Sequence, residues 1–441
     1  MAVSWGPSRA IRPVTVRARA ISRLRSPRAM VVHRNAVGAT GARADVGDVR
    51  ERGRDHMAVS CRHGRTEASE EYLMIDAPFS PPSRRTLVGL VAGAGAAGLL
   101  PTGAWADSRS GAVAAVIDGM VREQGFQGVV MLGRGGRART THANGLAHIG
   151  KGIPMRADTR LGIASISKRL TAVAVMRLVE QGRLSLDTPI TRWLPDYPAA
   201  TGARITLRRL LSNSSGLPNP FRAAVEADPA LLQEPWVSTA EAVRRLATGD
   251  LVFEPGSRFD YALSNWVLVL AILEAVTGRP YAEAMQTLVL DPLGMDHTAP
   301  VASPDVMSYR TVSPPVEWIN PRPPFLAAAG GYYSTASDLL RFAHRVHDTD
   351  FLSRASRDAL TTVEVASDNY ALGGRMRTVV IGGVDVRCAW ETGNTNGFRS
   401  VLGHRLDGRG TVVVLNNNAV SQRTMDEFAE ALLRADAGAG S

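Results

Sequence analysis

The chain is predicted to be an α/β protein of the α+β kind: one antiparallel sheet built from both ends of the folded region, flanked by helices, with a mainly helical lobe inserted between the ends. Three observations predict it. Strand-like runs with glycine turns occur near 128–145 and again over the last hundred residues. The stretch 205–324 between them has helical periodicity and no convincing alternating strand. Residues 161–182, LGIASISKRLTAVAVMRLVEQG, hold an apolar helix opened by Ser165 and Lys168 and closed by a glycine, which implies a buried element.

A first helix is expected over 112–121, where apolar residues recur at helical spacing. Residues 128–132 read as a buried strand, and Gly135 and Gly136 as a hairpin turn into a second strand ending near Gly145. Beyond the apolar helix, proline-marked loop leads to candidate helices at 207–211, 239–247, 264–277 and 281–289. Thr335 followed by Asp338 makes a capping-box-like start for a helix over 336–346. Residues 379–386, 400–404 and 410–415 read as strands, and 425–435 as a closing amphipathic helix.

With 441 residues, 45% hydrophobic and 21% charged, the composition is that of a globular protein with room for two or three domains. The net charge of +10 is unevenly placed. Residues 1–106 carry 16 basic and 8 acidic side chains, leaving 35 against 33 in 107–441, so the body is near neutral and nucleic acid is not an expected partner. Residues 1–73 lack periodicity and read as disordered or as lying upstream of the true start. From Met74, the twin arginines Arg84 and Arg85, an apolar run over 87–100 and Ala104-Trp105-Ala106 are the parts of a twin-arginine-type export signal cut after Ala106. A periplasmic or secreted protein is therefore expected, in contact with a membrane only through an uncleaved signal. The folded region is then 107–441, with a sheet lobe over about 107–180 and 330–441 and a helical lobe over about 185–325. Cys61 and Cys388 fall on opposite sides of the cut and form no internal disulfide.

Ser165 and Lys168 lie one helical turn apart at the start of the apolar helix. Lys168 is one of only two lysines in a chain that otherwise uses arginine. An amine can give up its proton when buried and a guanidinium cannot, so this spacing points to a serine nucleophile activated by a lysine base. The four-residue motif alone is weak, arising by chance on the order of once in ten such chains.

Its surroundings decide. The blocks RLGIASISKRLTA, GRLSLDTPITRWLP, ITLRRLLSNSSGLPN, FEPGSRFDYALSNW, VLDPLGMDHT, AAGGYYSTASDLLRF and WETGNTNGFRS stand in an order that resembles the serine β-lactamase and penicillin-binding-protein superfamily, in its class C-like branch of esterases, D-peptidases and β-lactamases. The resemblance covers about 107–418. It implies that Ser165 forms an acyl-enzyme, that Lys168 and Tyr261 share the proton transfers, and that the backbone N–H groups of Ser165 and Asn394 make an oxyanion hole. It implies an ester, an amide or a D-amino-acid peptide as substrate, with no cofactor and no metal.

Two positions depart from the family's pattern. Leu263 stands where the family has Asn two residues after the tyrosine, and Asn265 either supplies the missing amide or caps the helix that follows, the cap being favoured. Glu391, ahead of Thr392 and Gly393 in the third substrate-binding block, stands where relatives have Lys or His. As a substrate-facing anion it would repel a carboxylate and rank esters above β-lactams; as a solvent-facing or arginine-paired residue it would have no part in binding. Gly393 is expected to let the backbone approach the substrate. D-peptidase or β-lactamase activity and a non-catalytic, regulatory role are the alternatives. His344 and His347 share a helix face and read as a solvated pair, with no carboxylate to complete a zinc site. No G-x-S-x-G elbow or phosphate loop is present, and the glycine pattern at 93–98 follows arginines rather than a strand.

Overall fold

The computed structural model describes residues 102–438. Residues 1–73, Cys61 and the proposed export signal at 74–106 lie outside the described residues, except that 102–106 belong to the first helix. Six strands form one antiparallel sheet: β1 (Gly128–Arg134), β2 (Arg137–Asn144), β3 (Arg375–Ile381), β4 (Val384–Asn394), β5 (Arg399–Arg405) and β6 (Thr411–Asn416), in the order β2-β1-β6-β5-β4-β3. The sheet does join the two ends of the folded region, since β1 pairs with β6 through Val130 opposite Val414.

Both faces of the sheet are covered, which is why β1 and β6 are apolar without alternation. Val130, Leu132, Val412 and Val414 face the terminal helices α1 (Thr102–Gln124) and, at the far end of the chain, Gln422–Ala437. Val129, Met131, Val413 and Leu415 face the opposite way, into a second cluster. That cluster holds α2 (Ile166–Glu180), α3 (Leu263–Thr277), and α4 (Ala336–Asp348). The Gln422–Ala437 helix is α5. Helix α2 is buried from Ile166 to Met176 and ends against Gly182, whose φ of +68° suits the left-handed turn that closes it. Thr335 accepts the Asp338 N–H at 3.2 Å, forming the expected cap of α4.

Several expected boundaries move. The strand expected over 379–386 is two strands, because Gly382 and Gly383 take positive φ and turn the chain between β3 and β4. The inserted lobe, expected to hold no strand, carries a small hairpin, Tyr309–Val312 with Pro315–Glu317. The helix expected over 281–289 is regular only at Tyr281–Met285 and widens into a π-turn at Gln286–Leu290. No described helix is long and apolar enough to cross a membrane.

Candidate active site

Ser165 sits where a short strand, Leu161–Gly162, turns into α2. The turn is held from both sides: the Ile163 N–H donates to the Tyr332 carbonyl at 3.0 Å, and the Ile163 carbonyl accepts from Ser400 Oγ on β5 at 2.9 Å. Ala164 is forced to a φ of +44°, a left-handed conformation unusual for a residue with a side chain, and such strain persists only where the surroundings impose it. Ser165 occupies the N-cap of α2, yet its side chain makes no capping bond. The hydroxyl that would ordinarily satisfy the helix end is turned instead toward two other groups.

Those groups are Tyr261, whose OH donates to Ser165 Oγ at 2.7 Å, and Lys168, whose Nζ donates to it at 3.1 Å. Lys168 is only 2% exposed. Its ammonium lies 4.7 Å from the centre of the Tyr261 ring and 5.5 Å from that of Trp266, and it donates to the Ala329 carbonyl. Burial pushes its pKa down to about 7; the negative charge of Glu391 opposes the fall and the positive charge of Arg375 adds to it. A neutral amine at the serine oxygen is the state a base needs.

An apolar residue takes the position of the family asparagine. Leu263 opens α3 and packs against the apolar core, and the contact to Lys168 comes from the Ala329 backbone carbonyl instead. Asn265 does not cap α3, contrary to expectation. The N-cap is Ala262, and the Leu263 N–H donates to Asn219 Oδ1 at 3.3 Å. Asn265 lies in the first turn, 1% exposed, donating to Asn213 Oδ1 at 3.2 Å and accepting from Ser215 Oγ at 2.5 Å. Trp266 Nε1 donates to the same Asn213 oxygen at 3.1 Å. Asn265 is thus neither a cap nor a substrate ligand; it braces the loop that carries Asn213.

On β4, side chains alternate. Trp390 points toward α5, donating to Asp426 Oδ1 at 2.8 Å, and Glu391 points toward α2. There it is 6% exposed and ion-paired with Arg169, whose Nε and Nη2 lie 2.7 Å from Glu391 Oε1. Of the two alternatives, arginine pairing holds, and the expected substrate-facing anion is corrected: position 391 presents neither a cation nor a free anion to a substrate. Burial pushes the Glu391 carboxyl up, against the pull of the Arg169 guanidinium.

Thr392 is half-buried beside it. Gly393 is needed for a close approach within the protein: a Cβ there would lie 2.3 Å from the Ile163 carbonyl oxygen and 3.1 Å from Ala164 Cβ. The bare glycine lets β4 press against the turn before Ser165. Contact is made one residue before each of the two N–H groups, those of Ser165 and Asn394, assigned to the oxyanion hole.

Phe259, Tyr370, Asn213, Asn219 and Arg169 were not singled out in the sequence. Phe259 and Tyr370 pack beside Tyr261, with ring centres 6.2 and 6.5 Å away. Arg169 follows Lys168 directly, and an arginine there together with a glutamate at 391 was the available sign of a pair. The histidines also need correcting. A carboxylate is present: Asp348 bonds His344 Nδ1 at 2.9 Å and His404 Nε2 at 3.1 Å, while His347 stacks on His404 at 5.2 Å. Among the described residues no group of three or more His, Cys, Asp or Glu is arranged to hold a metal ion.

A serine held at a helix start by a lysine and a tyrosine, beside a glycine-bearing strand, accords with the family whose model, Beta-lactamase, matches residues 113–436: the chain belongs to the beta-lactamase family. Among its relatives is Esterase EstB of Burkholderia gladioli, 38% identical over 216 residues, which is 45% of this chain and 54% of that protein. The D-alanyl-D-alanine-carboxypeptidase/endopeptidase AmpH of Escherichia coli is 27% identical over 53% of this chain and 60% of its own length. The match therefore spans little more than half of each of these two relatives. The fold is also that of the D-amino acid amidase of Ochrobactrum anthropi SV3 crystallised with L-phenylalanine amide, with a TM-score of 0.64, 24% identity, and coverage of 76% of this chain and 99% of that one.

Proposed function

We propose that this protein is a serine hydrolase that cleaves an ester or amide through an acyl-enzyme on Ser165. The observation that carries the reading is the triangle at one hydroxyl, with Tyr261 OH at 2.7 Å and Lys168 Nζ at 3.1 Å from Ser165 Oγ. Neutral Lys168 takes the serine proton as Oγ attacks the carbonyl carbon; as the bond from that carbon to the leaving group breaks, Tyr261 gives its proton to the leaving group and is reprotonated by the Lys168 ammonium. Water then repeats the sequence on the acyl-enzyme, with the proton returned to Ser165. The N–H groups of Ser165 and Asn394 bind the tetrahedral oxyanion, each such donor contributing a factor of about 100 to 1,000 in rate.

The esterase relative and the lack of a cation at position 391 favour esters and neutral amides over substrates that are held by a carboxylate. Intact-protein mass spectrometry after exposure to a fluorophosphonate tests the reading: one adduct is expected, lost in Ser165→Ala. No adduct on the wild-type protein would leave the regulatory reading. Turnover of a p-nitrophenyl ester well above that of nitrocefin is expected, and the reverse ranking would favour the β-lactamase reading. The twin-arginine pattern of residues 74–106 supports export from the cytoplasm; a reporter fused behind that segment should be exported, and should stay inside when Arg84 and Arg85 are replaced by lysine.

A further inference from the structure

We propose that Arg169 and Glu391 are positioning residues for the base: their buried pair ties the turn of α2 that carries Ser165 and Lys168 to β4, and sets the charge that Lys168 faces. The proposal rests on the reading of Ser165 as nucleophile. Arg169 is 1% exposed, and its guanidinium is gripped by three separate elements. Besides Glu391 on β4, it donates through Nη1 to the Leu360 carbonyl at 2.7 Å, near the end of helix Arg354–Thr361, and to the Leu372 carbonyl at 3.3 Å. Two glycines make room for this. A Cβ at Gly374 would lie 1.2 Å from Glu391 Oε1, and one at Gly373 would lie 2.8 Å from the Lys168 carbonyl oxygen. The Gly373-Gly374 turn therefore touches both the backbone of the base and the carboxylate of the pair, and leads directly into Arg375 on β3.

A buried ion pair is a poor stabiliser. An apolar pair of similar volume serves the fold as well or better, because removing two charges from water offsets most of their attraction. The pair has a different consequence here. The groups around Lys168 are the hydroxyls of Ser165 and Tyr261, the Trp266 ring on α3, the Ala329 carbonyl, Arg169 on its own helix, Glu391 on β4, and Arg375 on β3. Among the charged groups acting on it, Glu391 is the anion when ionised, its carboxyl pushed up to about 7 by burial against the pull of Arg169, and Arg375 is a cation. Without the carboxylate, Lys168 would keep the Arg375 cation with no anion to oppose it. The sign follows: a negative charge holds a proton on the lysine, so loss of that charge moves the titration of Lys168 to lower pH.

The test is the pH dependence of single-turnover phosphonylation by a fluorophosphonate, in which Ser165 Oγ attacks phosphorus and fluoride leaves, read as adduct on Ser165 from about pH 5 to about pH 9. The wild-type rate should rise with pH through about 7. In Glu391→Gln, which keeps the shape and an acceptor for Arg169, that limb should move down by about half a unit or more. The apolar double variant Arg169→Met with Glu391→Leu should stay folded, with its limb displaced the same way and its plateau rate lowered about tenfold. A double variant with the wild-type plateau and pH profile would overturn the proposal, as would an unmoved limb in Glu391→Gln. Failure of both variants to fold would make the pair's part purely structural, and would overturn it too. A wild-type protein that takes up no adduct at any pH overturns the hydrolase reading itself, a result distinct from an adduct with unmoved limbs.

Discussion

Lys168 is costly to the fold because of the property that makes it useful. Its pKa is pulled from 10.5 to about 7 by burial, so between those values the folded protein binds fewer protons at this site than the unfolded chain. Stability contributed by the site therefore increases with pH across that window, and the full penalty is felt below it. Lys168→Met should abolish acylation of Ser165, raise the melting temperature at neutral pH and flatten the rise of stability between about pH 7 and 10. Thermal melts of the two proteins across that range check the two stability signs, and adduct formation with a fluorophosphonate checks the loss of acylation. At the same level, the sequence showed which residue types were present and left open where they point. Glu391 was legible as a departure from the family pattern. That it turns toward Arg169 was not, because both alternation along β4 and the course of α2 are needed to bring residues 222 positions apart to 2.7 Å.

Among the elements, α2 and α3 were legible from their apolar runs, while the loops that join them to the site were not. Asn213 illustrates the difference. It lies in the left-handed region at a φ of +51°, its side-chain oxygen receives Asn265 and Trp266 from α3, and its carbonyl receives the Asp260 N–H at 2.8 Å, one residue before Tyr261. This loop aims the tyrosine. Asn213→Gly keeps the backbone conformation and orphans two buried donors, so a loss of roughly 2–4 kcal/mol is expected in urea unfolding. Ester turnover should fall further than stability alone accounts for, through misplacement of Tyr261. Asn265 was expected as a cap because an amide beside an apolar periodic run usually is one. The cap position falls three residues earlier, at Ala262, where Asn219 from a distant loop meets the Leu263 N–H, and no local pattern contains that information. The small hairpin at Tyr309–Val312 was missed for a similar reason: its strands are short and proline-flanked, and they offer too few positions for alternation to register.

Across the chain as a whole, one cysteine reports on the sheet. Cys388 is the free cysteine among the described residues; it is fully buried on β4, and burial pushes its thiol up to about 12. A native protein should react with an uncharged thiol reagent at Cys388 only as fast as the β4 region opens, with labelling rising steeply through the denaturant midpoint. Peptide mapping separates this thiol from Cys61. Rapid labelling under native conditions would mean that the β3–β4 edge opens locally.

What the sequence determined alone was whatever depends on neighbours in the chain or on ordered blocks: the two-ended sheet, the buried helix, the Ser165–Lys168 spacing, the Thr335 cap and the family pattern around Tyr261. Tertiary structure alone decided which way side chains turn once distant segments meet. It placed a carboxylate between His344 and His404, made Gly393 a contact with the Ile163–Ala164 turn, and paired Glu391 with Arg169. The physical reason is that a buried charge or amide takes its partner from whatever element packs against it, and that element is set by the closed sheet and its two covered faces, not by the residues on either side in the sequence.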